Sequence, residues 1–310
     1  MPDSISGKFA RSWSIFTSSL QVIAQQKKLL LFPLISFACS VVMMLFFLAP
    51  TLLYPSGHSL SDPAHWKTVG SLFGTLPDQG ADARSVHLTG LAYGVIAAIY
   101  LVSMFLASFF NTAFYHQIMR ALAGESVSIR AGIAFARTRL LSILMWSLLA
   151  GSVGLVIKAL EERLGWLGRW AMKLLGVVWS VASVFAIPVI VREGSTNPIT
   201  LLRNSASTLR KTWGEALIGY VGLTVGTWIV VISSFLFIGG AVALAVAFES
   251  GAIILSAISV WILAMITYGY FVGIAGHIYR CSLYIYATEG VVPSPYSPEM
   301  MDAAWKVKKS

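Results

Sequence analysis

The sequence predicts an all-α, polytopic membrane protein of about six transmembrane helices with three amphipathic interfacial helices. Three observations carry the prediction. Of 310 residues, 57% are hydrophobic and 11% charged, with mean hydropathy +0.77. An average soluble domain carries about 25% charged residues, so this chain has too few to cover a surface in water. Six apolar stretches approach the roughly 20 residues that a helix needs to cross a hydrocarbon core of about 30 Å. Finally, the net charge of +9 comes from Lys and Arg that gather mostly on one side of those stretches.

The chain opens with an amphipathic segment over 8–28, in which Phe9, Trp13, Phe16, Leu20 and Ala24 recur at helical spacing and Lys27-Lys28 close the run. The first span follows over 29–54. It is too long for the apolar region of a cleavable leader, so an uncleaved first span is expected. A loop rich in Pro, Gly and Asp covers about 55–87, and the second span covers 88–114. A second amphipathic segment, 128–139, carries Ile129, Ile133 and Ala136 on one face and ends on Arg137 and Arg139. Spans three and four cover 140–157 and 174–191, and between them Leu160, Leu164, Leu167 and Ala171 suggest a further amphipathic piece.

The third interfacial segment is 198–213. Asn197 suits an N-cap and Pro198 the first helical turn. Ile199, Leu202, Ala206, Leu209 and Trp213 form an apolar stripe, with Arg203, Arg210 and Lys211 largely off it. That pattern is too polar to span and fits a helix in the headgroup plane. Span five covers 216–238 and is read as one long helix loosened at Gly239-Gly240, the alternative being a break there. Span six covers 252–279. Residues 1–288 make one transmembrane domain and 289–310 a proline-broken cytoplasmic tail. Each odd-numbered span follows an amphipathic helix, which suggests a threefold unit of surface helix and helical hairpin.

With both termini in the cytoplasm, 16 of the 22 Lys and Arg lie inside; Lys67, Arg84, Lys158, Arg163, Arg169 and Lys173 lie outside. This asymmetry orients the six spans N-in and C-in.

Three stretches carry a resemblance. "FARSWSIFTSSLQVIAQQKKLLLFPLIS" near the start, "IPVIVREG" with "LLRNSASTLRKTWGEALIG" in the middle, and "YRCSLYIYATEGVVP" near the end resemble an uncharacterised family of bacterial six-span integral membrane proteins, a domain of unknown function. The turn from Pro188 to Gly194 with its basic helix is distantly similar to the membrane domain of glycerophosphodiester phosphodiesterases. No phosphodiesterase domain is expected beside the spans, so no activity carries over. The resemblance implies the fold and the bacterial cytoplasmic (inner) membrane, and supplies no site residue.

Nothing in the sequence matches a nucleophile elbow, a zinc-protease helix, a P-loop or a dinucleotide fingerprint, and a non-enzyme is expected. All 13 acids fall in loops, surface helices or span ends, whereas a proton-coupled carrier needs an ionisable group at depth. Ser103, Ser108, Asn111, Thr224, Thr227, Ser233, Ser234 and Thr267 inside the spans are read as bonding their own or neighbouring helices rather than lining a path. His58, His65 and His87 match no metal spacing, and Cys39 and Cys281 form no CxxC, so no metal and no cofactor is expected. His116 and His277 are read as structural groups at helix ends.

The basic segments are the candidate site. Lys27, Lys28, Arg137, Arg139, Arg203, Arg210 and Lys211 are expected to contact anionic lipid headgroups. A protein partner or a homo-oligomer is a further expectation; nucleic acid is not. The functional expectation is a membrane scaffold or accessory protein whose basic helices bind the cytoplasmic leaflet. The alternative is a passive channel or a transporter of a lipid or amphipathic solute.

Overall fold

The computed structural model describes residues 5–75, 87–212, 216–298 and 300–301. All long elements are helices: α1 (Ile5–Gln25), α2 (Leu31–Leu52), α3 (Pro63–Phe73), α4 (Gly90–Leu122), α5 (Ile129–Thr138), α6 (Leu140–Arg163), α7 (Trp166–Ala182), α8 (Ala186–Glu193), α9 (Pro198–Thr212), α10 (Ala216–Ala247) and α11 (Gly251–Glu289). A 3-10 turn at Lys27–Leu30 joins α1 to α2. Among the described residues, six segments are long and apolar enough to cross a membrane: Lys27–Leu52, Gly90–Leu122, Leu140–Arg163, Gly168–Glu193, Val230–Ala247 and Gly251–Glu289. The chain is a multi-pass membrane protein by this measure, as its composition requires.

Chain direction alternates, so α2, α6 and α10 leave one end of the bundle, here the base, and α4, α7–α8 and α11 return to it. Local chemistry sets the ends. Thr89 caps α4, its hydroxyl accepting from the amide of Ala92 at 3.3 Å, and Ser128 caps α5 through the amide of Ala131 at 3.4 Å. Asn197 caps α9 as its sequence suggested, accepting from the amides of Ile199 and Thr200 at 3.0 and 3.3 Å. Each returning helix is followed by a glycine at positive φ: Gly124 at +79°, Gly194 at +65° and Gly290 at +68°. A glycine there closes a helix without the steric penalty of a Cβ.

The core sits at the base. It gathers Phe114, Tyr115 and Ile118 of α4, Phe185, Val189 and Ile190 of α8, and Ile274, Ile278, Cys281 and Tyr284 of α11. Around these lie α1 against α11, α5 against α4, and α9 against α8. Far from the base the spans are thinly packed. Leu255, Val260, Leu263 and Ile266 of α11 are all exposed, as are Phe235 and Leu236 of α10, which is where lipid replaces protein as the covering phase.

Several expectations change. The second and sixth apolar stretches do not stop at Phe114 and Tyr279; α4 and α11 run on to Leu122 and Glu289. At 1.5 Å per residue, α11 is about 58 Å long, far beyond one hydrocarbon core. The added turns hold His116, Arg120 and Arg280, whose polarity ended the apolar pattern but not the helix. The fourth stretch is divided: α7 ends at Ala182 and α8 begins at Ala186. The amphipathic piece expected from Leu160 to Ala171 is no unit of its own, because α6 holds Leu160 and α7 holds Ala171, with Leu164-Gly165 as the turn. The fifth stretch is one helix through Gly239-Gly240. The polar loop contains α3, capped by Asp62 on the amide of Ala64 at 2.8 Å with Pro63 next, an Asp-Pro signal that was readable. Gly74-Thr75 pairs antiparallel with Leu88-His87 at its foot.

The tail turns back onto α1. Tyr296 shares a 2.7 Å hydrogen bond with Ser19, and Met300 lies against Ser14 and Ser18. Tail residues 302–310 lie outside the described residues.

Candidate functional site

At the base, the buried faces of α1 and α9 are not those drawn from periodicity. On α9, Leu201 and Ser205 are 0% exposed while Ile199 is 60% exposed. On α1, Ile15, Ser19, Val22 and Ile23 are buried, and Trp13 is 59% exposed. Serine carries little apolar area, so a stripe read from hydrophobic residues misses a face that is buried through Ser18, Ser19, Ser205 and Thr208. Phe9 and Trp213, part of the drawn stripes, lie outside the residues whose side chains are described.

Ser205 shows what that burial does. Its hydroxyl accepts from the amide of Phe185 at 3.0 Å and donates to the carbonyl of Ala182 at 2.6 Å. One side chain therefore serves both backbone groups released where α7 gives way to α8. Inside an apolar stretch such groups have no water to turn to.

The expected lipid cations fall on three separate segments. Lys27 and Lys28 are exposed in the 3-10 turn, Arg137 is exposed at the end of α5, and Arg203 and Arg210 are exposed on α9. The side chain of Lys211 lies outside the described residues. Arg139 differs from the rest. It is half-buried, its guanidinium 5.5 Å from the centre of the Phe135 ring, and Phe135 stacks on His116 at 3.8 Å. The same guanidinium covers Gly194 so closely that a Cβ there would stand 1.7 Å from Nη1. Its Nε is buried without a hydrogen-bond partner among the described residues.

Polar side chains tie the returning helices together. Tyr115 of α4 meets Nδ1 of His277 on α11 at 2.8 Å and accepts from Nη1 of Arg280 at 2.9 Å. Arg192 at the end of α8 pairs with Glu289 at the end of α11 at 2.7 Å, and Asn204 donates to Glu193 at 2.5 Å. Arg120 bonds Glu125 at 2.7 Å, and Ser142 donates to the carbonyl of Gly194 at 3.2 Å. Gln26 clamps the loop between α4 and α5, accepting from the amide of Val127 at 3.3 Å while its own amide donates to Glu125 at 3.5 Å. The Arg192–Glu289 pair is 45% and 40% exposed, so it contributes at most about 1 kcal/mol; packing and the buried bonds hold the base. The bonds from Tyr115 to His277, Arg192 to Glu289, Ser142 to Gly194 and Gln26 to Val127 join residues far apart along the chain and were not visible in the sequence.

Near the α5–α6 corner, Leu101, Val102 and Phe105 of α4 face Leu140, Leu141, Leu144 and Leu148 of α6 across an apolar groove of about 580 Å³. It begins one residue beyond Arg139.

Residues 90–293 match the model of a family described as a family of unknown function, DUF6159. No curated protein and no solved structure matches the chain. The distant similarity to the membrane domain of glycerophosphodiester phosphodiesterases has no counterpart in the family match.

Proposed function

The chain belongs to the DUF6159 family of unknown function, and we propose that it is a non-enzymatic scaffold of the bacterial inner membrane whose basic base grips the cytoplasmic leaflet. The observation that carries this reading is the exposure of Lys27, Lys28, Arg137, Arg203 and Arg210 on three segments at one end of the bundle. Exposed Trp13 on α1 and Ile199 on α9 accompany them. Cations beside apolar anchors suit a headgroup plane, where each cation adds about 1 kcal/mol against anionic lipid. The groove between α4 and α6, lined from Leu140 onward, offers room for an acyl chain.

The base is then the cytoplasmic side, with N-terminus and C-terminus inside, because most Lys and Arg collect there. A threefold unit of surface helix and hairpin belongs to the same proposal. It is supported by the pairing of α1 with α11, α5 with α4, and α9 with α8, and by the positive-φ glycine after each returning helix. In such a unit every surface helix leans on the span that precedes it, and α1 closes the cycle on the last.

The test uses the whole protein in nanodiscs of mixed phosphatidylcholine and phosphatidylglycerol. Native mass spectrometry should find phosphatidylglycerol enriched on the protein. Replacing Lys27, Lys28, Arg137, Arg203 and Arg210 by Gln should remove the enrichment without unfolding the helices. Enrichment that survives those changes, or none at the outset, overturns the reading.

A further inference from the structure

The break in the fourth span faces a space. A cavity of about 300 Å³ lies between Phe185, at the break, Leu209 of α9, and the Gly273, Gly276, His277 and Arg280 wall of α11. Three features make it more than a packing defect. First, non-helical backbone inside an apolar stretch persists where it is enclosed by protein or borders a cavity, and here Ser205 holds the break open by satisfying both of its freed groups.

Second, the α11 wall is cut back. A Cβ added at Gly273 or at Gly276 would meet nothing among the described residues within 4 Å. Glycines that serve close helix approach meet a neighbour at once, as Gly132 does against Ala113 and Gln117 at 3.0 Å. Among the described residues Gly273 and Gly276 have no such neighbour, and both line the cavity.

Third, the cavity is two-sided in chemistry. Phe185 and Leu209 make it apolar, while His277 and Arg280 form one polar corner. Both polar groups are held by the same hydroxyl, Tyr115, at 2.8 and 2.9 Å, so the corner is organised before any ligand arrives. A site that is mostly apolar with a few fixed polar groups is the usual form of a small-molecule pocket, and about 300 Å³ is the lower end of its size range.

We propose that this cavity binds a single-chain amphiphile, with an acidic head, carboxylate or phosphate, at His277 and Arg280 and the start of its chain along Gly273 and Gly276. The volume suits one chain rather than two. The cavity is lined by none of the exposed cations of the base, so this site and the leaflet grip stand or fall separately.

The experiment titrates the full-length protein, in nanodiscs of phosphatidylcholine alone, with dodecanoate, dodecyl phosphate and dodecanol in turn, and reads bound probe by native mass spectrometry. One equivalent of dodecanoate, of dodecyl phosphate or of both should be retained, with dodecanol at least tenfold weaker; which acid is held identifies the head. Gly276→Leu should reduce retention at least tenfold. If that variant does not fold, as judged by its helical signal and elution, the double variant Gly273→Ala with Gly276→Ala takes its place and should give the same direction. Retention of dodecanol equal to the acids overturns the acidic head. No one-to-one complex, or retention unchanged when the glycines are filled, overturns the site itself.

Discussion

Ser205 and Phe185 meet through a 3.0 Å hydrogen bond from the Phe185 amide to the Ser205 hydroxyl, twenty residues apart in the chain. The same hydroxyl donates to Ala182, so a helix that could not end inside an apolar stretch by itself ends there against another helix. The middle of the protein is thus built on α9 as much as on the spans.

Replacing that hydroxyl tests the statement. Ser205→Ala strands one buried amide and one buried carbonyl, and each unpaired group costs about 1–3 kcal/mol. Thermal unfolding in detergent should shift down clearly. An unchanged midpoint would mean that the break is satisfied by some other group.

Gly194 and Gly290 separate two causes of strain. Both have positive φ, +65° and +68°, but only Gly194 lies under the Arg139 guanidinium. Gly290→Ala should cost about 1–2 kcal/mol from backbone conformation alone. Gly194→Ala should cost more, and Arg139→Ala in the same chain should bring it back to the level of the Gly290 variant. Equal losses for the two single glycine variants, read from denaturant midpoints, would remove Arg139 from the account.

The docked tail should respond to alkali. Burial pushes the Tyr296 phenol above its ordinary value of 10.0, with the hydrogen bonds to Ser19 and Ser282 opposing. A raised folded-state pKa favours the protonated form, so this contribution is fully present below pH 10 and is lost as pH rises through the folded value. Melting temperature followed from pH 8 upward should therefore fall more steeply above pH 10 in the wild type than in Tyr296→Phe. Parallel curves would mean that the phenol is not buried against Ser19.

Orientation has a direct check. Ser71 is exposed on α3, away from the base, and Ser207 is exposed on α9 at the base. With the native cysteines replaced, a cysteine at position 71 should react with an impermeant maleimide on intact cells, and one at position 207 only after lysis. The reverse labelling would invert the protein in the membrane and place its basic end outside.

The sequence by itself determined the class. Too few charges for a water-facing surface and six long apolar stretches leave a helical membrane protein as the solution, because backbone in lipid must bond within its own segment. It also showed the Asn197-Pro198 start of α9 and the continuous α10, since caps and helix propensity act between near neighbours. It did not show where α4 and α11 end. His116, Arg120 and Arg280 read as span limits, yet their helices continue because tertiary contacts of Tyr115 and His277 supply what lipid cannot.

Tertiary structure alone decided the buried faces of α1 and α9, the division of the fourth span and the seat of Arg139 on Gly194. The physical reason is common to all three. Each depends on a small or polar side chain filling a place made by a distant segment, and hydrophobic periodicity records which residues avoid water, not which partner they meet.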